Sequence, residues 1–586
     1  MDPSKGSFSV LDYMIFAFML IFSAGIGLYY RFTGGRQKTN KEYFLADKNM
    51  PITPVAFSLM ASFMSAITLL GVASENYMYG TQFLIINVSY IIGTPIAAFI
   101  FLPVFFQMQA TSAFEYLEKR FNRETRLLAS CVFILQMALY MSIVLYAPAL
   151  TLSAVTGLPK WISVISIGIV CTFYCTVGGI KAVLWTDLFQ SLLMFSAIFA
   201  VIAKGTIDVG GFFQVWEIAE RGERIQFFNF DPDPTIRHTV WTLAIGGVFL
   251  YTSIYGVNQA QVQRLLTVKS LRKSQIALFL NLPITILLSI GTSLAGIVVY
   301  ANLANCDPLL RSDVTNVQSP DQILPYFVMA SLSMIPGLPG LFVAGIFSGT
   351  LSTMSSAINS LAAVTVEDFF RPLCFRDISE SRIACFTKVT AFSYGLLCIG
   401  LTVIVEKLGG VLQASLTIFN VVGGPMLGLF SLGMLCNRAN AKGSMTGFLF
   451  ALCLCFWIGF GSMLKSKKIL SYHRSTDSCL SNDTILESEN FQYNISIESL
   501  SKNWTIASVQ NVTFVNKDSE YVLPLYKVSY MWYAGIGWSA CIIVGLGVSL
   551  LFRKEQVNPV LLSPLAKFWN VNQGPLPEEV PMKECR

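Results

Sequence analysis

Apolar runs recur from one end of the chain to the other, separated by polar segments, and each of about 20 residues is long enough to cross a hydrocarbon core of roughly 30 Å as a helix. Thirteen such spans are predicted, near residues 10–30, 52–78, 82–106, 127–150, 160–179, 183–205, 239–263, 276–300, 341–366, 385–405, 411–436, 443–464 and 529–552. Four of them are not uniformly apolar. The second places Ser58, Ser62, Ser65 and Thr68 inside it, with Glu75 and Asn76 following. The seventh joins Gly246-Gly247 to Tyr251-Thr252-Ser253 and then Asn258-Gln259-Ala260-Gln261-Val262-Gln263-Arg264, an inner half too polar to face lipid. The eleventh carries Gln413, Ser415, Thr417 and Asn420 before Gly423-Gly424-Pro425. Small polar residues at mid-span leave the backbone within reach of an ion or solute, so these three are expected to be interrupted helices. The ninth holds Gly349-Thr350-Leu351-Ser352-Thr353-Met354-Ser355-Ser356-Ala357-Ile358-Asn359-Ser360. Unpaired hydroxyls in lipid are costly, so this run either packs against neighbouring helices or holds a cation such as sodium.

Composition fixes the class. The chain has 586 residues, 54% hydrophobic and only 13% charged, against roughly 25% charged in soluble domains. This is an all-α polytopic membrane protein. Lys and Arg collect in alternate loops: Arg31, Arg36, Lys38, Lys41 and Lys48; Lys119, Arg120, Arg123 and Arg126; Arg264, Lys269, Arg272 and Lys273; Arg371, Arg376, Arg382 and Lys388. The positive-inside rule makes these cytoplasmic, which puts the N-terminus outside and, with an odd number of spans, the C-terminus inside. The net charge of +6 therefore reports topology, and nucleic acid is not an expected partner. Asp2, Lys5 and Asp12 precede a first span too long for a signal h-region, so no cleavable signal is expected.

Glycosylation signals test the same orientation independently. Asn482, Asn494, Asn503 and Asn511 each begin an N-x-S/T sequon, and all fall in the polar loop 465–528 that the charge rule places outside. Of the 13 Cys, only Cys306 and Cys479 lie in predicted outer loops, where disulfides form, and they are expected to pair. Asp187, near the start of the sixth span, is the most informative acid, because a carboxylate at or within a membrane is costly enough to mark a functional site. The alternative is an interfacial acid paired with Lys181. Pro148 is expected to kink the fourth span or mark its outer end. The two His, His238 and His473, are far apart in sequence, which argues against a His-based metal site. No phosphate-binding loop, paired metal-ligand histidines or nucleophile elbow is present in the sequence, so an enzyme is not expected.

The interrupted spans two and seven stand five apart. Units of five spans cross the membrane an odd number of times, so consecutive copies are inverted, which is the plan of secondary transporters. The expected organisation is 1–51 for the outer N-terminus, first span and first cytoplasmic loop, 52–205 for the first repeat and 206–238 for an extracellular loop. The second repeat is 239–436, followed by span twelve at 437–464, the glycosylated loop 465–528, span thirteen at 529–552 and a cytoplasmic tail at 553–586.

Several motifs make a resemblance specific. Gly-Thr-Leu-Ser-Thr at 349–353 with Asn-Ser-Leu-Ala-Ala-Val-Thr-Val-Glu-Asp at 359–368, Trp-Thr-Asp at 185–187, Tyr-Gly-Val-Asn-Gln-Ala-Gln-Val-Gln-Arg at 255–264 and Ala-Ser-Phe-Met-Ser-Ala at 61–66 resemble the sodium:solute symporter family. Within it, the chain is most similar to the branch of sodium-coupled monocarboxylate, sodium-dependent multivitamin and sodium/iodide transporters, which Asp-Pro-Asp-Pro at 231–234 and Arg237-His238-Thr239 also resemble. The resemblance implies about 13 transmembrane helices with a five-plus-five inverted-repeat (LeuT-like) core.

It implies a sodium site made of the carbonyls of Ala61, Met64 and Gly349 and the hydroxyls of Ser352 and Thr353, and a second sodium site at Asp187, Ser355 and Ser356. It also implies a substrate cavity at Phe63, Thr68, Tyr140, Tyr251, Leu412, Gln413 and Leu416. Oxygen donors of this kind suit sodium without any formal charge. No Lys or Arg is expected at mid-depth, so an anion would be held by hydroxyls, amides, helix N-termini and nearby sodium. Thr68 stands where iodide transporters have glutamine, which favours organic carboxylates. The implied function is a plasma-membrane symporter importing monocarboxylates or vitamin acids such as biotin, pantothenate and lipoate with sodium. An iodide-type symporter and an ion channel are the alternatives. No cofactor is expected beyond sodium as coupling ion; the expected partners are sodium, the organic anion and the bilayer.

Overall fold

The computed structural model describes residues 8–32, 46–108, 112–373, 380–405, 410–465, 472, 474–476, 479, 523–553 and 556–571. The four sequon asparagines lie outside the described residues. No strand occurs among the described residues, and the helices follow the apolar runs. They are α1 (Val10–Phe32), α2 (Ile52–Phe63), α3 (Ala66–Tyr79), α4 (Thr81–Met108), α5 (Arg123–Thr156), α6 (Lys160–Gly178), α7 (Ile180–Val209) and α8 (Trp241–Val257). The second half continues with α9 (Gln259–Leu265), α10 (Leu271–Leu303), α11 (Leu338–Phe370), α12 (Glu380–Val405), α13 (Val411–Leu435), α14 (Ala441–Lys465) and α15 (Tyr530–Leu550).

Ten of the described helices are long and apolar enough to cross a membrane, or eleven when α2 and α3 count as one span bent by 57°. The stretch Lys160–Phe173 and helix α8 are apolar but shorter, and they occupy the places of the predicted spans five and seven. Helix α8 is short for a physical reason. Its ladder widens into π turns at Trp241–Gly246 and Ser253–Val257, and it stops at Asn258, whose extended backbone and side chain then cap α9 through Ala260 N.

The interruption expected in the eleventh span is absent. Helix α13 runs unbroken through Gly423-Gly424-Pro425. The glycines serve close packing instead: a Cβ on Gly424 would lie 2.3 Å from Ala534 O, and one on Gly423 2.6 Å from Ser253 Oγ. Helix α5 likewise passes Pro148 and ends only at Thr156, capped by Gly157 in the left-handed region at φ 70°.

Burial sorts the helices into a centre and a rim. Of the apolar stretch in each, 94% is buried in α11 and 89% in α13, against 22% in α1 and 28% in the α12 stretch. The hydroxyl run of α11 is buried because most of it is satisfied on α11 itself, Thr350 on Ile346 O, Ser355 and Ser356 on Ser352 O and Ser360 on Ser356 O. The Val10 end of α1 lies beside the start of α11, where Asp12 Oδ1 accepts from Gly337 N at 3.0 Å and Gly340 N at 2.8 Å. The same end holds the disulfide Cys306–Cys479, the pair expected from the sequence, and Tyr77 donates to Asp307 there at 3.1 Å. At the opposite end the chain after α15 packs back, with Ser563 N on Met434 O at 2.9 Å and Tyr116 OH on Leu561 O at 3.1 Å. Arg120 and Arg126 are structural at that end. Arg120 reaches the carbonyls of Gly433, Cys436 and Ala439, and Arg126 pairs with Glu118 and the buried Asp368.

Candidate functional site

The site begins where α2 breaks. Met64 closes α2 by donating to Met60 O at 2.7 Å, and Ser65, extended at φ −94° and ψ −176°, caps α3 by accepting from Ile67 N at 3.1 Å. The last carbonyls of a helix have no partner within it, so the backbone from Ala61 to Met64 offers oxygens at mid-protein. Helix α11 comes up against this break, backbone to backbone. A Cβ on Gly349 would lie 2.9 Å from Ala66 N and 3.1 Å from Ser65 C, so glycine sets the approach. One turn on, Thr353 Oγ1 donates to Ala61 O at 3.3 Å. Ser352 is fully buried, and its Oγ completes no hydrogen bond. The structure therefore brings Ala61, Gly349, Ser352 and Thr353 together at the break that Met64 terminates. The buried Ser352 hydroxyl, beside Thr353 and the carbonyl end of α2, belongs to a set of neutral oxygen donors whose chemistry suits sodium.

Asp187 lies behind this cluster, on α7, with no exposed surface. It does not pair with Lys181. Its Oδ2 accepts from Ser58 Oγ on α2 and lies 3.8 Å from Arg264 Nη2. The Ser352 hydroxyl points toward the same carboxyl, yet Asp187 Oδ1 completes no hydrogen bond either. Ser356 accepts from Arg264 Nη2, donates to Ser352 O at 2.6 Å and lies 3.0 Å from Ser62 Oγ. Ser355 turns back to its own helix, bonding Ser352 O at 3.0 Å.

Arg264 corrects the expectation that no cation sits at this depth. The loop charge pattern assigns it to the cytoplasmic surface, but it is completely buried on α9. It is held by Ala260 O at 2.7 Å and Ser58 Oγ at 2.8 Å. The sequence signal was the amide run at 258–263, which already marked this segment as unfit for lipid.

A small cavity adjoins the cluster, lined by Ser62, Phe63, Tyr140, Thr353, Ser356 and Phe419. Asn258 and Gln261, at the break between α8 and α9, add amides to its wall. Phe63 and Tyr140 are thus the expected substrate residues that line it. Tyr251 stands one layer back: it stacks on Tyr255 at 4.4 Å, bonds Thr94 Oγ1 at 2.8 Å and fills the space left by Gly93. Thr68, Leu412, Gln413 and Leu416 sit on the stretches of α3 and α13 between the cavity and the disulfide end.

That route is closed. Tyr140 meets Phe419 edge-on at 4.6 Å, and Leu412 packs directly on Gly71, where a Cβ would come within 2.6 Å of the Leu412 Cβ. Above them Arg237 binds Glu75 through Nε at 2.7 Å and Nη2 at 2.9 Å, and Gln413 through Nη1 at 2.9 Å. The pair is buried, the Glu75 side chain 7% exposed and that of Arg237 10%. Tyr79 and Tyr530 cover the guanidinium. His238 bonds Tyr530 at 2.9 Å, and burial holds its imidazole down at about 4, so it is neutral at ordinary pH. Asp321 accepts from Val411 N at 3.1 Å, and burial pushes its carboxyl up to about 6. No local pattern joins this cluster into a unit, although Arg237-His238 and Glu75 are each visible in the sequence.

Two broken helices meeting at mid-protein beside a small cavity lined by hydroxyls, amides and aromatic rings are the arrangement of a secondary carrier. The pattern of the sodium:solute symporter family matches residues 43–451, and the chain belongs to that family. It is 44% identical over 575 residues to sodium-coupled monocarboxylate transporter 1 of Xenopus laevis, covering 97% of this chain and 90% of the relative. It is also 44% identical over 571 residues to the sodium-dependent multivitamin transporter of Oryctolagus cuniculus, covering 96% and 86%. Among solved structures, a Na+-coupled sialic acid symporter in a substrate-bound outward-open state shares the fold. Its TM-score is 0.73 at 22% identity, over 94% of this chain and 100% of the other.

Proposed function

We propose that this protein couples the import of small organic anions, monocarboxylates or vitamin carboxylates, to sodium by alternating access across the plasma membrane, with the disulfide end outside and the tail inside. The observation that carries the reading is the pair of buried hydroxyls on α11 at the α2–α3 break, Thr353 on Ala61 O and Ser352 with no hydrogen bond completed. Sodium bound there ties α11 to the break and closes the cavity behind a solute held by Phe63, Tyr140 and the amides of Asn258 and Gln261. Asp187 with Ser355 and Ser356 is the second sodium site in this reading, and the Ser352 hydroxyl, which points toward the same carboxyl, is added to it. Two sodium ions with one monoanion carry one net positive charge, worth roughly 2.3 kcal/mol per 100 mV of membrane potential.

Uptake of labelled lactate, biotin, pantothenate and iodide in sodium and in choline medium tests this. Saturable sodium-dependent uptake of at least one carboxylate, with an inward current on its addition, is expected. Uptake indifferent to sodium for every carboxylate overturns it.

A further inference from the structure

Arg264, which the transport reading leaves without a role, is paired with Asp187 of the second sodium site. Neither side chain is accessible to solvent, and each is the formal charge acting on the other. The contact is indirect. At 3.8 Å the guanidinium does not reach the carboxylate and is joined to it by Ser58, which accepts from Arg264 Nε at 2.8 Å and donates to Asp187 Oδ2. The carboxylate is left half satisfied, because Asp187 Oδ1 and the neighbouring Ser352 Oγ complete no hydrogen bond. A carboxylate oxygen and a neighbouring hydroxyl, both buried and unpartnered, are donors that suit a cation, and the nearest cation is one that belongs to the protein.

We infer that Arg264 is a tethered counter-cation that stands in for the second sodium, so that sodium at Asp187 and the Asp187–Arg264 contact exclude one another. This rests on the second-sodium reading above. A sodium ion bound between Asp187 and Ser352 would sit close to a guanidinium in a fully buried site, where like charges repel far more strongly than at a surface. Sodium binding must therefore push the guanidinium away. Sodium departure leaves a buried carboxylate that needs a new partner, and Arg264 supplies it.

The placement of Arg264 makes the exchange mechanical. It sits on α9, the short half of the broken seventh span, and is anchored to α9 itself by Ala260 O at 2.7 Å. Asp187 belongs to α7 and Ser356 to α11. Withdrawal of the guanidinium thus frees α9 from Ser58 on α2 and Ser356 on α11, and α9 with its cap Asn258 forms one wall of the cavity. Loading of the second sodium and release of that wall become one event.

The test measures sodium-dependent thermal stability of the purified full-length protein in detergent, in sodium against choline. In Arg264→Gln the competing charge is gone, so the half-saturating sodium concentration falls at least tenfold and the sodium-induced rise in Tm exceeds that of the wild type. An unchanged or higher half-saturating concentration overturns the inference. The wild-type structure in saturating sodium decides the matter should Arg264→Gln not fold: an ion at Asp187 with the guanidinium withdrawn supports the exchange, and an ion there with Arg264 unmoved overturns it. Asp187→Asn separates the two levels. If it leaves the sodium Hill coefficient of binding unchanged, the second-sodium reading itself falls, and the inference with it. If it lowers the coefficient while Arg264→Gln leaves sodium affinity unchanged, the site stands and only the exchange is lost.

Discussion

Replacing Glu75 by Gln strips the charge from the pair that closes the route at the disulfide end. Arg237 keeps Gln413 through Nη1 but loses both charge-assisted contacts, at 2.7 and 2.9 Å. Removing one partner of a buried ion pair costs about 3–5 kcal/mol, since the other charge is left desolvated. With Arg237 10% exposed, the lower figure applies, and the cost falls on the closed form because an open route returns the guanidinium to water. About 3 kcal/mol is roughly a hundredfold shift toward the open form at about 1.4 kcal/mol per tenfold.

The assay is labelling from outside with a membrane-impermeant thiol reagent at Thr68→Cys. This position lies on α3 one turn below Gly71, beneath the Leu412 contact. The single variant is expected to label slowly in sodium-free medium. Adding Glu75→Gln is expected to raise the rate at least tenfold, while Glu75→Asp, which keeps the charge, is expected to raise it less. Equal rates in the single and double variants would refute the latch.

Two further outcomes are expected. Gly349→Ala forces a Cβ to 2.9 Å from Ala66 N, an overpacking that typically costs 1–3 kcal/mol; sodium-dependent uptake is expected to fall at least tenfold at unchanged surface expression, and normal uptake would show that α11 and the break need not touch. Asp321 is raised from 3.8 to about 6, so its contribution to stability is full below about pH 4 and is lost as pH rises through 6; Asp321→Asn is expected to flatten the Tm profile across that window, and a profile identical to the wild type would exclude it.

Much of this architecture is written in local chemistry, and the exceptions are instructive. The break at Met64–Ser65 was legible because serines in an apolar span compete for backbone hydrogen bonds, and the pairing of Cys306 with Cys479 followed from compartment alone. Gly423-Gly424-Pro425 misled, because glycine signals a break and a close helix contact in the same letters; only the position of Ala534 O on α15 distinguishes them. Arg264 misled for a related reason. Its neighbours Lys269, Arg272 and Lys273 make it look like one more loop cation, and its burial depends on Asp187 and Ser356, which are brought in from α7 and α11. Arg120 and Arg126, also read as topology signals, are likewise tied to inner carbonyls and to Asp368. The Glu75–Arg237–Gln413 cluster joins three distant stretches of chain, and no local pattern announces such a meeting.

In the proposed function, Ser352 and Thr353 hold the coupling sodium against the carbonyls of the broken second span. The most direct measurement of this is the sodium activation curve of carboxylate uptake for the wild type, Ser352→Ala and Thr353→Ala at matched surface expression. Each variant is expected to raise the half-activating sodium concentration at least tenfold, a loss of about 1.4 kcal/mol in sodium binding, while the wild-type rate is approached at high sodium. Curves that superimpose on the wild type would contradict the account.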